Sequence, residues 1–306
     1  MPALCRFAVA SLLLFSTAAL DAGEQTVRLE MHEDTLTVTI DGAEFATYHF
    51  GDELPKPFFA DVRAPGGTVV TRTLNDPVDK DHPHHKGIWV AVDEVNEVDF
   101  WAEKGKIDNA SVKPLVAEGN PAKLQVVNHW LSEDEKPMVT ETTIISIYPN
   151  RVMAYDITFT AVDRPAEFLD TKEGLFAVRL RKPLTARDGS GTIVGANGET
   201  GEKALWGKPN EWIDYYGEAE GRTVGVALFD HPDNLRPSRY HVRGYGLFAI
   251  SPFGDKAYSG GEEEAKPVHL EVGEKLRLRY GVYIHAGDTH SANVAAVYRD
   301  YTDKAK

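Results

Sequence analysis

The sequence predicts an all-β protein, a large antiparallel β-sandwich with one C-terminal helix. Three observations carry that expectation. Polar and apolar residues alternate along residues 26–31 and 35–40, the period of two that half-buries a strand. Short turn signals such as Asp41-Gly42, Pro149-Asn150-Arg151, Asn197-Gly198 and Gly260-Gly261 punctuate that alternation. Only the C-terminal stretch carries a convincing helical period, Val294, Val297, Tyr298 and Tyr301 at i, i+3, i+4 and i+7, with Thr289 placed to cap it.

The chain begins with a segment that reads as a secretory leader. Arg6 supplies a positive charge, residues 7–14 form an apolar run, and Ser16-Thr17-Ala18-Ala19 supply small residues, so cleavage is expected after Ala19 or Ala22. The run is too short to span a hydrocarbon core of about 30 Å. Cys5, the sole cysteine, lies within it, so a chain cleaved there has no disulfide, no thiolate metal site and no cysteine nucleophile. Export without disulfides suits a periplasmic or secreted protein. With 42% hydrophobic residues and no repeat or shift in composition, residues 23–306 read as a single β-sandwich domain.

After the leader the strands follow in order. Residues 35–40 run through the Asp41-Gly42 hairpin into 45–48, and 58–62, 68–74 and 88–92 come next. The middle of the chain adds 112–118 and 124–131, then 139–148 and 152–162 joined tightly through Pro149-Asn150-Arg151. The second half continues with 175–180, 223–229, 246–250 and 275–284, while residues 187–202, rich in Gly, Asp, Asn and Thr, read as an exposed excursion. Many strands, short turns and one helix point to a sandwich or barrel-like sandwich.

The formal charge of −14 argues against a nucleic-acid partner, which needs a basic footprint, and against docking on an anionic membrane surface. A small molecule remains as the partner, and a local basic pocket for an acidic sugar stays compatible. The chain has no phosphate-binding glycine loop, dinucleotide fingerprint, Gly-x-Ser-x-Gly elbow or His-Glu-x-x-His motif.

Chemistry concentrates in Asp81-His82-Pro83-His84-His85-Lys86-Gly87-Ile88-Trp89. Imidazole titrates near pH ~6.5, so three together offer acid, base and metal-ligand functions. Pro83 biases His82 toward an extended conformation, and Gly87 relieves the backbone before the next strand. His84 and His85 are the candidate acid–base pair. Asp93, Glu94, Glu97 and Asp99 follow, with Trp101, whose ring face suits a sugar. A second cluster runs from Asp230-His231-Pro232-Asp233-Asn234 to His241, Arg243 and Tyr245, and His285 ends the last long strand. Two such loops can build a composite pocket at one face of a sheet. Glu173, followed by Gly174, is the candidate second carboxyl group, and Arg179 can pair with it or bind an acidic substrate group. The substrate-binding set is therefore His82, Trp101, Arg179, His231, Asn234, His241, Arg243 and Tyr245. A divalent metal is the alternative, with His82, His84 and His231 as candidate ligands, and a non-catalytic sugar-binding module is a further one.

At His82-Pro83-His84-His85-Lys86-Gly87-Ile88-Trp89, Asp99-Phe100-Trp101, Glu173 to Arg179, Asp230-His231-Pro232, Tyr245-Gly246-Leu247 and Pro252-Phe253-Gly254 the chain resembles the PmoA-like family of secreted bacterial proteins labelled methane oxygenase. The resemblance implies a sandwich similar to the galactose-mutarotase supersandwich, a fold common among carbohydrate-active proteins. A membrane oxygenase subunit would be a bundle of spanning helices, and no stretch after the leader has that length, so the resemblance is taken for the fold and not for methane oxidation. Together these readings lead to a carbohydrate-active enzyme of the isomerase, lyase or glycoside-hydrolase type.

Overall fold

The computed structural model describes residues 25–74 and 80–304, so the expected leader, with Cys5, lies outside the described residues. Two large antiparallel sheets face each other. The first has nine strands in the order Arg239–Val242, Leu247–Ser251, Phe176–Arg179, Ile88–Val90, Phe58–Ala60, Ala43–His49, Thr35–Ile40, Val27–Met31 and Glu118–Gly119. The second has eight, in the order Thr192–Gly195, Trp212–Ala219, Arg222–Asp230, Lys275–Ala286, Val152–Ala161, Pro137–Ile147, Ala122–Leu131 and Ile107–Val116. Four short strands form a third sheet, Val268–Leu270, Ala166–Phe168, Glu94–Val95 and Val98–Asp99.

The alternation read in the sequence is what half-buries the strands. Ala122–Leu131, Pro137–Ile147 and Val152–Ala161 bury every second residue along most of their length. Asp41 and Gly42 both take positive φ, 51° and 78°, as a two-residue hairpin turn requires, and Ile40 pairs with Ala43 across it. Between the sheets Phe176 meets Tyr155 and Tyr280, with ring centroids 4.5 and 5.8 Å apart. The Tyr240 hydroxyl, from the nine-stranded sheet, donates to the Leu228 carbonyl of the other at 3.1 Å. Each large apolar side chain so buried contributes on the order of 1.5–3 kcal/mol.

Four expectations need correction. Residues 68–74 form isolated bridges, Arg63 with Val69 and Thr71 with Leu180, because their neighbours pair elsewhere. Residues 187–202 are no simple excursion: Thr192–Gly195 adds an edge strand, and the single-turn helix Glu202–Leu205 follows. A second single turn lies at Asp255–Tyr258, so the C-terminal helix Val294–Lys304 has two short companions. Thr289 does not cap that helix, since its hydroxyl donates to Asp214 Oδ2 at 2.7 Å.

Strand Phe176–Arg179 positions the site. Phe176 points between the sheets, so by strand alternation Ala177 and Arg179 point to the outer face. Registers align His241 with Ala249, Ala249 with Ala177, and Ala177 with Trp89, one row across that face. The two alanines keep the middle of the row low between a histidine and a tryptophan.

Candidate functional site

The histidine stretch is a turn and not an extended loop. His82 takes φ of 44°, in the left-handed region, and its carbonyl accepts from the His85 N–H at 2.9 Å, with Pro83 and His84 at the bend. A non-glycine residue there costs on the order of 1–3 kcal/mol, and its surroundings hold it in place. Arg72 Nη1 donates to the His82 carbonyl at 3.0 Å, and His82 Nδ1 donates to Asp81 Oδ2 at 3.1 Å. Gly87 is needed because a Cβ there would overlap the Phe59 carbonyl.

The three imidazoles pack on one another. His82 lies parallel to both His85, at 4.8 Å, and Tyr245, at 5.2 Å, while His84 meets His85 edge-on at 4.5 Å. His85 is buried against Trp89 and Trp101. Its Nδ1 lies 3.2 Å from Arg179 Nη1, and a guanidinium can only donate, so Nδ1 accepts and the neutral ring carries its proton on Nε2. Burial, then the nearby His84 and Arg179, hold His85 far below the usual imidazole range. His85 is thus neutral, buried and held by Arg179, whereas His84 is the half-buried member of the expected pair. Trp101 is likewise buried behind His85, without the exposed face that stacking on a sugar requires.

Lys56 emerges as a supporting group the sequence did not single out. Its side chain is 0% exposed, and Nζ donates to Glu103 Oε1 at 2.6 Å and to the His84 carbonyl at 2.9 Å. Burial lowers its ammonium to about 8 against the pull of Glu103. Burial, and next the Lys56 charge, bring the His84 imidazole down to about 4, so His84 is neutral at pH 7. Removing the charge in Lys56→Met is expected to move the His84 midpoint upward, followed by NMR through the imidazole carbon shifts. Lys56→Met/Glu103→Gln, which leaves no buried charge unpaired, should move it the same way by less. An unchanged midpoint in both variants would mean that burial alone sets it.

Glu173 reaches the same region from the start of the central strand. Asp93 N–H donates to the Glu173 carbonyl at 2.9 Å, Thr171 Oγ1 donates to Asp93 Oδ2 at 3.0 Å, and Glu173 N–H donates to Thr171 Oγ1 at 3.1 Å. Gly174 follows with φ of 144°, where a Cβ would sit 2.9 Å from Val92 Cγ2. The carboxylate lies 3.5 Å from His241 Nδ1, which also donates to the Lys172 carbonyl at 2.9 Å, so neutral His241 keeps its lone pair on Nε2. Burial lowers the His241 imidazole, and Glu173 works against that. The charge of Glu173 also acts on His84, more weakly than burial and Lys56 do, and on Tyr245.

Aromatic and cationic groups border these residues. Tyr245 has the guanidinium carbons of Arg179, Arg187 and Arg243 at 4.9, 5.6 and 5.8 Å from its ring centre. Arg179 Nη2 donates to Asp81 Oδ1 at 2.7 Å, so among the described residues it pairs with Asp81 and not with Glu173. Arg243 Nε pairs with Glu202 Oε1 at 3.0 Å. Those two residues, with Lys203 and the half-buried Trp206, line an open cleft of about 510 Å³. Trp206 packs edge-on against His241, with centroids 6.0 Å apart. Trp206 was legible only as a tryptophan before a glycine, and Lys56 only as a lysine between two prolines.

The loop at His231 belongs elsewhere. His231 is buried beneath the C-terminal helix, edge-on to Tyr301 at 5.7 Å. Asn234 donates to Asp230 Oδ1 at 2.7 Å and to the Arg279 carbonyl at 2.8 Å, and accepts from the Arg279 N–H at 2.7 Å. With its amide spent on these bonds it has no role at the pocket, and neither residue joins His84. His285 is buried on Asp214 at 2.9 Å. The candidate metal set His82, His84 and His231 is therefore not assembled. Among the described residues no group of three or more His, Cys, Asp or Glu side chains is arranged to hold a metal ion.

A family model described as a family of unknown function, DUF6807, matches residues 35–299. No curated protein matches the chain. Among solved structures, a protein from Escherichia coli K12 assigned provisionally as an aldose 1-epimerase is similar with a TM-score of 0.43 and 10% identity, over 86% of this chain and 100% of that one. Galactose 1-epimerase from Lactobacillus acidophilus NCFM is similar with a TM-score of 0.42 and 9% identity, over 86% of this chain and 98% of that one. A GH36 α-galactosidase from Geobacillus stearothermophilus has a TM-score of 0.42 and 9% identity, over 81% of this chain and 40% of that one. None of these matches carries the PmoA-like label that the motifs suggested. Among the described residues no helix is long and apolar enough to cross a membrane.

Proposed function

Since this chain belongs to DUF6807, a family of unknown function, its membership brings no activity with it, and we propose from the site itself that it is a carbohydrate-active enzyme working by proton transfer. Glu173 and His84 are its acid–base groups. The observation that supports this reading is the Glu173 carboxylate 3.5 Å from buried His241, at one end of the strand row that runs through Ala249 and Ala177 to Trp89, against which the histidine turn packs through His85. Epimerisation and elimination each begin with a base that takes a proton from the sugar and can give it back as its conjugate acid. A carboxylate and an imidazole neutral at pH 7 both start as proton acceptors, so whichever takes the substrate proton is the group that returns it. Tyr245 and Trp206 offer ring faces for a sugar, and Arg243 and Glu202 offer donors and acceptors for its hydroxyls.

The test is turnover of a panel of aldoses, uronates and aryl glycosides, followed by NMR for epimerisation and hydrolysis and by ultraviolet absorbance for elimination. His84→Ala is expected to lose about 10²–10⁴-fold in rate, the usual range for a general acid or base, while melting within about 2 °C of the parent. Equal rates in parent and variant would overturn the assignment. Melting shifts with sugars and no product after prolonged incubation would instead favour a binding module.

A further inference from the structure

Beside the acid–base groups lies a second cavity, of about 190 Å³, bordered by four cationic side chains, Lys80, Arg179, Lys182 and Arg187. Among the described residues two carboxylates line it, Asp81 and Asp188. Both are already engaged: Asp81 with Arg179 at 2.7 Å and Arg72 at 3.5 Å, and Asp188 with Arg187 at 2.8 Å. Lys80 and Lys182 form no ion pair among the described residues. The described residues that line the cavity thus carry net positive charge, on a chain whose formal charge is −14. On so acidic a surface, unspent cations gathered around a hollow mark the place where a small anion gains most.

The cavity is continuous in composition with the acid–base site. Arg179, buried, holds His85 with one nitrogen and Asp81 with the other, and Tyr245 forms a wall of the cavity while stacking on His82. A ligand with one end over Tyr245 therefore has its other end among Lys182, Arg187 and the Thr185 side of the cavity. The volume suits one charged substituent with part of its ring, and the ammonium groups of Lys80 and Lys182 supply charge and donors to a carboxylate.

Resting on the acid–base reading above, we infer that this cavity is an anion subsite and that the substrate is a sugar bearing a carboxylate, a uronic acid or its glycoside. Glucuronate and galacturonate are then expected to bind about tenfold or more tighter than glucose and galactose, read by calorimetry and by melting shift, with the difference shrinking as ionic strength rises. Lys182→Ala/Arg187→Ala changes only exposed side chains and should abolish that preference, leaving the weaker binding of neutral sugars. Binding is measured in Glu173→Gln as well, so that recognition is read apart from turnover. Equal affinity for acidic and neutral sugars in the parent overturns the subsite and leaves the acid–base reading standing. Inorganic sulfate or phosphate binding as tightly as the uronates, with the same loss in the double variant, also overturns it, in favour of a bare anion site. A sulfated neutral sugar outcompeting the uronates overturns the carboxylate assignment. Uronate binding that the double variant loses, with no turnover of any sugar, supports the subsite and overturns the acid–base reading.

Discussion

Glu173→Gln is expected to lower turnover by about 10²–10⁴-fold while leaving the fold intact. The amide keeps the size of the carboxylate, and the backbone at residue 173 is held independently, through Asp93 and Thr171. What changes is charge: Gln cannot take a proton, and it no longer opposes the burial that lowers His84 and His241. Melting should stay within about 2 °C, and binding of a ligand should persist. The pH profile gives a second readout. His84 accepts a proton only when neutral, so the parent rate should fall as pH drops through about 4. A Glu173→Gln enzyme within threefold of the parent would remove Glu173 from the chemistry.

Asp230→Ala is expected to destabilise the protein by about 3–5 kcal/mol, although Asp230 lies away from the site. Asp230 is 6% exposed; Oδ1 accepts from Asn234 Nδ2 at 2.7 Å and Ser238 Oγ at 3.0 Å, and Oδ2 accepts from Ser238 N–H at 2.7 Å. Alanine leaves the Ser238 N–H without its acceptor, and Asn234 and the Ser238 hydroxyl each lose one of two partners. Burial raises the Asp230 carboxyl to about 6 even against those bonds. The sign follows from the raised value: the folded state holds the proton more tightly, so this group's stabilisation is full below about pH 4 and declines as pH climbs through about 6. The deficit of the variant should therefore be larger at pH 5 than at pH 7.5, by on the order of 1 kcal/mol. Urea unfolding of both proteins at the two pH values measures it. A loss under about 1 kcal/mol, or a deficit that grows with pH, would contradict the account.

Much of the fold could be read from the chain because period-two alternation and Asp41-Gly42 are local signals. The site was readable only in part, and residues 230–247 show why. They read as one cluster, yet the chain passes there from Arg222–Asp230 in the eight-stranded sheet to Arg239–Val242 in the nine-stranded one. His231 and Asn234 stay with the first sheet, while His241 goes with the second and meets Glu173, and Arg243 and Tyr245 follow it. Nothing in the spacing marks that crossing. His84 and His85, adjacent in sequence, differ in another hidden way: the turn at Pro83 leaves one half-buried and the other sealed against two tryptophans. The same turn, with its positive φ at His82, overrode the extended preference expected of a residue before proline.

The strand Phe176–Arg179 is hydrogen-bonded along both flanks, and Glu173 and Arg179 bracket it. Arg179 is already fixed by Asp81 and His85, so it has little rotational entropy left to surrender when a ligand arrives. Freezing a long side chain on binding costs roughly 0.5–1.5 kcal/mol, and that cost falls instead on the exposed Lys182 and Arg187. The molecule is thus stiff at one end of its cleft and yielding at the other. Whatever ligand spans the two ends is judged by shape where the protein cannot move and by field alone where it can.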